Sequence, residues 1–253
     1  MSAPAAEQAL LTHKTLVYSA TRLTMAAMLR TYNRARVSGA EHLPSEGPVV
    51  LAANHQSLLD IPLIAMATRR HVSFVARKTL ARSAPLAFLM RQCGAVLVER
   101  GTADRRAVGE MIAHLEAGDA LAVFPEGTRA LDNQVGPFLA GALLAARRAG
   151  APIVPVGIRG TFEVWPRGAR LPRPRPVRIA FGPAMGPKEP GALERLRESV
   201  GELSGLPLRP ETALEAESTS GADSASQEGG RSVSSPGSEA ALQKRALPDG
   251  GAR

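Results

Sequence analysis

One cysteine in 253 residues removes whole classes of architecture. Cys93 has no partner for a disulfide within the chain, and a cysteine-based zinc site lacks its ligands. The usage fits a reducing compartment. Aromatic residues are scarce too, at 4% against 44% hydrophobic, so a core must be packed mainly by Leu, Val, Ile and Ala. Long apolar runs are missing. A membrane-spanning helix needs about 18 or more apolar residues, but Arg22 splits the uncharged stretches 15–21 and 23–29. The N-terminal residues show no apolar core behind a basic start, so no secretory signal is expected. No G-x-S-x-G elbow is present, and Cys93 in "RQCGAV" has no adjacent His, so no protein nucleophile is expected.

Acidic charge is scarce in the body of the chain. The net charge is +8, and Glu211, Glu215, Glu217, Asp223, Glu228, Glu239 and Asp249 all lie beyond residue 210. Residues before them are therefore more basic than the whole. Such a body attracts an anionic partner: nucleic acid, an anionic lipid surface or a phosphorylated substrate. For nucleic acid there is only "RPRPR", without a recognition-helix motif, zinc ligands or a stacking pattern of aromatics. No nucleic-acid partner is expected.

Residues 7–33 lack Pro and Gly and read as a helix, apolar over much of its surface with scattered Lys14, Arg22 and Arg30. It either lies on a membrane interface or packs on the body. From 34 to about 182, short apolar runs alternate with helical patterns. Strands are expected at 36–38, 48–53, 72–75, 95–99, 120–124, 153–158 and 177–181. Helices are expected at 58–68, 84–92, 104–117 and 139–149, with a closing helix at 191–204. Runs such as "VVLAA" and "ALAVF" are continuously apolar, as strands buried on both faces should be. The reading is an α/β fold: one domain over 34–208 with a largely parallel central sheet flanked by helices. Residues 1–33 form an N-terminal segment, and 209–253, rich in Ser, Gly, Ala and Glu, a disordered tail.

A His followed five residues later by an Asp occurs twice, in "NHQSLLD" (His55, Asp60) and "HLEAGD" (His114, Asp119). Spacing alone therefore diagnoses nothing. Residues five apart on one helix lie about 140° off a common face, so contact requires the His before a helix and the Asp in its first turn. The first copy allows this, with Ser57 as N-cap, Asp60 at the third helical position and His55 in the preceding loop. The second reads as structural, with Asp119 in a turn. S-x-x-D before an apolar run is also a capping box, so Asp60 has a capping role available, and His55 an ordinary loop role. If the pair acts, neutral His55 removes a proton from an attacking hydroxyl. Asp60 then holds the tautomer and stabilises the imidazolium, as in a triad whose nucleophile is the substrate's own hydroxyl.

"FPEGTR" follows a strand-like run. Gly127 admits a close ligand, Thr128 and Arg129 suit phosphate or carboxylate, and Glu126 can orient a polar group or pair with a cation. The same residues also suit an ordinary turn. Arg100 ends the run "AVLVERG", and Lys78 follows "VSFVA".

Taken in order, "NHQSLLD", "GAVLVERG", "FPEGTR" and "IVPVGI" resemble the 1-acylglycerol-3-phosphate O-acyltransferase family, the glycerolipid acyltransferases with an N-H-x-x-x-x-D motif. The resemblance spans roughly residues 34–182. It implies transfer of a fatty acyl group from acyl-CoA or acyl carrier protein, with no further cofactor, to lysophosphatidate. Glycerol-3-phosphate, another lysophospholipid and a lyso-aminolipid are the alternative acceptors, and a non-catalytic phospholipid-binding protein is the rival reading. His55 becomes the general base and Asp60 its partner. Lys78, Arg100, Glu126, Gly127, Thr128 and Arg129 become the acceptor site, and Pro155 belongs to a block that shapes the acyl or acceptor pocket. The resemblance further implies an N-terminal helix seated in the interface of an anionic membrane, at its cytoplasmic face. Where many members carry a basic residue after "FPEGTR", this chain has Leu139 and Ala140.

Overall fold

The computed structural model describes residues 16–77, 95–98, 105–166 and 168–210. The helix expected at 84–92, Lys78, Arg100 and the tail beyond 210 lie outside the described residues. The seven expected strands are β1 (Arg36–Ser38), β2 (Val49–Ala53), β3 (Val72–Arg77), β4 (Ala95–Val98), β5 (Ala120–Val123), β6 (Ile153–Arg159) and β7 (Arg178–Phe181). They form one sheet in the order β1-β7-β6-β2-β5-β3-β4. From β6 through β4 every pairing is parallel. β7 runs antiparallel to β6, and β1 follows β7. β2 and β5 are buried at every position, which is why their sequences are apolar without alternation.

Helices cover both faces. On one side lie α1 (Leu16–Thr31) and α2 (Asp60–Ala67), whose Leu29, Leu63 and Ile64 meet Leu51, Val154, Val156 and Ile158. On the other lie α3 (Arg105–Glu116), α4 (Gly141–Ala149) and α6 (Ala192–Ser204), whose Leu115, Ala146 and Leu196 meet Val50, Leu121 and Ile153. The alternation along β2, β5 and β6 sends successive side chains to opposite cores. A single turn of helix, α5 (Thr161–Val164), and a 3-10 turn at Ala40–His42 were not anticipated. Both are too short for a periodic signal.

The N-terminal helix had two expected placements. Its described part packs on the body: Ala26 and Leu29 are buried. Arg22 donates from Nε to Ala65 O at 2.7 Å and from its terminal nitrogen to Thr68 O. These carbonyls end α2, where a cation is favoured by the helix dipole. Leu23 stays 72% exposed on the outer side. Among the described residues no helix is long and apolar enough to cross a membrane. At the other end the chain remains attached to the domain through Arg209. Its N–H donates to Val135 O at 2.9 Å, and its guanidinium meets Asp132 Oδ1 at 2.7 Å.

From β2 the chain leaves over the α2 face to β3, and from β5 it returns over the α4 face to β6. β2 and β5 are neighbours in the sheet, so the two connections diverge between them. In an open α/β sheet such a divergence opens a crevice at the carboxyl ends of the strands. "NHQSLLD" follows β2 and "FPEGTR" follows β5.

Candidate active site

Asn54 ends β2 by imitating backbone. Its Nδ2 donates to Ile158 O at 2.8 Å and its Oδ1 accepts from Ile158 N at 2.7 Å. The ladder to β6 is thus closed by a side chain, and the chain turns out of the sheet at His55. His55 is then held on four sides. Its Nδ1 lies 2.9 Å from Asp60 Oδ2, and its ring stacks on Phe124 with centroids 3.9 Å apart. Its N–H donates to Glu126 Oε1 at 2.8 Å, and its carbonyl accepts from Ala130 N at 2.7 Å.

Asp60 is fully buried. Besides His55, its Oδ2 accepts from Gln56 N and Ser57 N, each at 2.7 Å. An ionised carboxylate only accepts, so the proton at this contact sits on Nδ1. Nε2 is then the basic nitrogen. It makes no hydrogen bond among the described residues.

The capping geometry differs from expectation. The helix begins at Asp60, with Leu59 as the preceding cap, so Asp60 opens α2 instead of standing third in it. Ser57 Oγ donates to Trp165 O at 2.9 Å and accepts only a long bond from Leu59 N at 3.4 Å. One arm of the capping box survives, the bond from Ser57 N to the Asp60 carboxylate.

The second His–Asp pair corrects a stronger expectation. His114 Nδ1 lies 2.8 Å from Asp119 Oδ2, so both copies are in contact. The 140° argument holds within a helix, but Gly118 adopts φ +85° and ends α3. The chain then folds back, with Asp119 N donating to His114 O at 3.1 Å. A helix end permits the contact whichever end it is. What separates the pairs is the sheet edge. Asp119 precedes β5 and its carbonyl accepts from Val49 N, so this pair lies at the amino ends of the strands. His55 lies at the carboxyl ends.

Of the expected acceptor residues, the loop after β5 is brought to His55. Gly127 takes φ +66°, and a Cβ there would stand 3.0 Å from Leu139 Cδ1. Thr128 is exposed and Arg129 half-buried, between the anchors Glu126 and Ala130. Glu126 has its oxygens engaged by backbone: Oε1 by His55 N and Oε2 by Gly136 N at 3.0 Å. That is a bracing task within the loop. Burial pushes its pKa up to about 7, and the Asp60 charge adds to this. The two N–H donors and Arg209 oppose it. Pro155 sits in β6 and lines an open groove with Gly182, Met185 and Leu203 on the α6 side. Phe124, Ala130 and Gly136 escaped the sequence reading. Only Phe124 carried a signal, as the aromatic residue opening "FPEGTR".

Replacing Glu126 by Gln tests the brace. A group whose folded pKa is raised stabilises the fold while protonated, and that contribution is lost as pH rises from the ordinary carboxyl range through about 7. Wild-type stability minus that of Glu126→Gln should therefore fall across that window in urea unfolding at stepped pH. Parallel pH dependences would contradict the buried titration. Gln offers one accepting oxygen for two donors, so any reaction that depends on the placement of His55 should also slow about ten- to a hundredfold.

Comparison with known proteins follows the same segment. The acyltransferase family model matches residues 34–159. A chloroplastic 1-acyl-sn-glycerol-3-phosphate acyltransferase of Brassica napus is 29% identical over 153 residues, 58% of this chain and 44% of that protein. The human 1-acyl-sn-glycerol-3-phosphate acyltransferase alpha is 37% identical over 128 residues, 49% of this chain and 44% of that protein. The chain thus spans about half the length of the curated relatives it matches. The crystal structure of a 1-acyl-sn-glycerophosphate acyltransferase from Thermotoga maritima superposes with a TM-score of 0.59 at 27% identity. It covers 79% of this chain and 88% of that one.

Proposed function

The chain belongs to the acyltransferase family, and from that premise we propose that it acylates the free hydroxyl of lysophosphatidate, using an acyl thioester of coenzyme A or of acyl carrier protein. The observation that carries the reading is the His55–Asp60 pair, with Nδ1 held at 2.9 Å and Nε2 left as the base. The names of the matched relatives support the acceptor.

In this reading Nε2 removes the proton of the glycerol hydroxyl as its oxygen attacks the thioester carbonyl. Asp60 stabilises the imidazolium that forms. The tetrahedral oxyanion collapses, the carbon–sulfur bond breaks, and the thiolate takes the proton back from His55. The products are phosphatidate and the free thiol. Backbone amides of the loops after β2 and β5 are the proposed donors to the oxyanion. Lys78, Arg100, Thr128 and Arg129, with the close approach allowed by Gly127, are the proposed phosphate site. Glu126 serves that site by bracing its loop. The reaction is proposed to occur at an anionic membrane surface.

The test is a panel assay. Purified full-length protein in detergent is offered labelled acyl-CoA and acyl carrier protein against lysophosphatidate, glycerol-3-phosphate and uncharged lyso-acceptors. Labelled phosphatidate is expected as the main product. No transfer from either donor, or preference for an acceptor without phosphate, would overturn the proposal.

A further inference from the structure

The edge of the sheet that carries His55 also carries a row of arginines that the proposed chemistry does not use. Arg36 opens β1 directly opposite Arg178 on β7, and Arg178 stands opposite Arg159 on β6. Residues in register on neighbouring strands point to the same face, about 4.8 Å apart per strand. Val177, Ile179 and Phe181 enter the core beneath α1 and α2, so Arg178 and its two neighbours face the other side. Arg159 confirms that side by donating to Gly205 O, just past α6. The row is level with the active site. Arg159 follows Ile158, whose N and O are clasped by Asn54, and His55 is the next residue after Asn54.

The loop leading into β7 adds Arg170, Arg173 and Arg175, all exposed. Among the described residues no salt bridge involves any of the six. Like charges directly opposite across strands destabilise a sheet. The isolated fold therefore carries a repulsion that an anionic partner would relieve. The loop is not purely polar. Leu171 is 77% exposed at its tip, and Tyr32, 45% exposed, donates its hydroxyl to Pro172 O. Guanidinium groups match phosphate bidentately. An exposed leucine and a tyrosine among them suit the boundary between headgroups and acyl chains.

We propose that the Arg36–Arg178–Arg159 row and the Arg170, Arg173, Arg175 loop form a docking surface for anionic phospholipid headgroups, setting the carboxyl edge of the sheet against a bilayer. The proposal rests on the lipid-acceptor reading for its purpose, because a lipid acceptor must enter from a membrane at that edge. An acidic protein partner would meet the same charges but offers no use for Leu171.

The experiment compares full-length protein with Arg36→Gln/Arg170→Gln/Arg173→Gln/Arg175→Gln/Arg178→Gln, all at exposed positions. Vesicle co-sedimentation uses phosphatidylcholine alone and equal parts phosphatidylcholine and phosphatidylglycerol. Wild type should bind the anionic vesicles preferentially, and less as salt shortens the screening length. The variant should bind at least about a hundredfold more weakly. Its acyl transfer to monomeric, short-chain lysophosphatidate should be unchanged. Arg36→Gln/Arg178→Gln should also raise Tm at low salt, whereas a structural role for these arginines would lower it.

Undiminished vesicle binding by the variant would overturn the surface. So would equal binding of wild type to neutral and anionic vesicles. Loss of binding to an acidic acyl carrier protein with vesicle binding intact would overturn it in favour of a protein partner. Absence of acyl transfer in wild type, with vesicle binding still dependent on the arginines, would remove the enzymatic reading and leave the surface standing.

Discussion

His55→Ala should lower kcat for acyl transfer by about 10²–10⁴-fold while the protein stays folded. The geometry separates the chemical loss from a structural one. Asp60 loses its imidazole partner but keeps Gln56 N and Ser57 N, each at 2.7 Å, so no buried carboxylate is orphaned. The backbone bonds of residue 55 to Glu126 and Ala130 do not involve its side chain. Besides the bond to Asp60, only the stack on Phe124 is given up, worth about 0.5–1.5 kcal/mol beyond area burial. A near-native circular dichroism spectrum with a thermal midpoint lowered by only a few degrees is therefore expected. Near-normal turnover in that folded variant would sink the assignment of His55 as base.

The second large effect belongs to Asp60, and there catalysis and folding are coupled. Asp60→Ala leaves Gln56 N, Ser57 N and His55 Nδ1 facing a void. Each buried donor so orphaned costs about 1–3 kcal/mol, so this variant should unfold substantially more easily than wild type. Asp60→Asn is the discriminating change. Its oxygen still accepts from the two backbone N–H groups, while the charge that stabilises an imidazolium is gone. Turnover should fall about 10²–10⁴-fold, against a stability loss of about 1–2 kcal/mol. Measured kcat and urea midpoints on the same preparation decide between the roles. A large stability loss with turnover per folded molecule unchanged would reduce Asp60 to a cap.

A capping box places Ser57 as the cap, yet the Ser57 hydroxyl donates to Trp165 O and accepts only a long bond from Leu59 N at 3.4 Å, and the helix starts three residues later at Asp60. Local sequence cannot reveal that competition, because Trp165 is 108 residues away in the chain. The carboxylate nevertheless takes Ser57 N as a capping box would. The turn it closes sets the distance to His55.

The strands show the same division. Continuous apolar runs placed β2 and β5 within a residue or two, since burial on both faces is written directly into composition. The chain-local helices α3, α4 and α6 were equally visible. The four-residue α5 was not, because one turn carries no period, and its capping residue Trp165 is held by a hydrogen bond from the distant Ser57.

By itself, then, the sequence determined the α/β alternation, the burial of the central strands, and which two loops hold chemistry-bearing residues. Those properties follow from nearest-neighbour pattern and side-chain type. Two identical His–Asp spacings lay beyond it, because both make the same contact, at 2.9 and 2.8 Å. Only tertiary structure decided between them. Strand order sets β2 beside β5, their crossovers leave over opposite faces, and Phe124, Glu126 and Ala130 close on His55 from the neighbouring strand. The pair at His114 meets at the other edge, where among the described residues no neighbouring loop is hydrogen-bonded to the backbone of the His as Glu126 and Ala130 are to His55. Sequence specifies which groups exist. Sheet order and the direction of the crossovers specify which of them share a site.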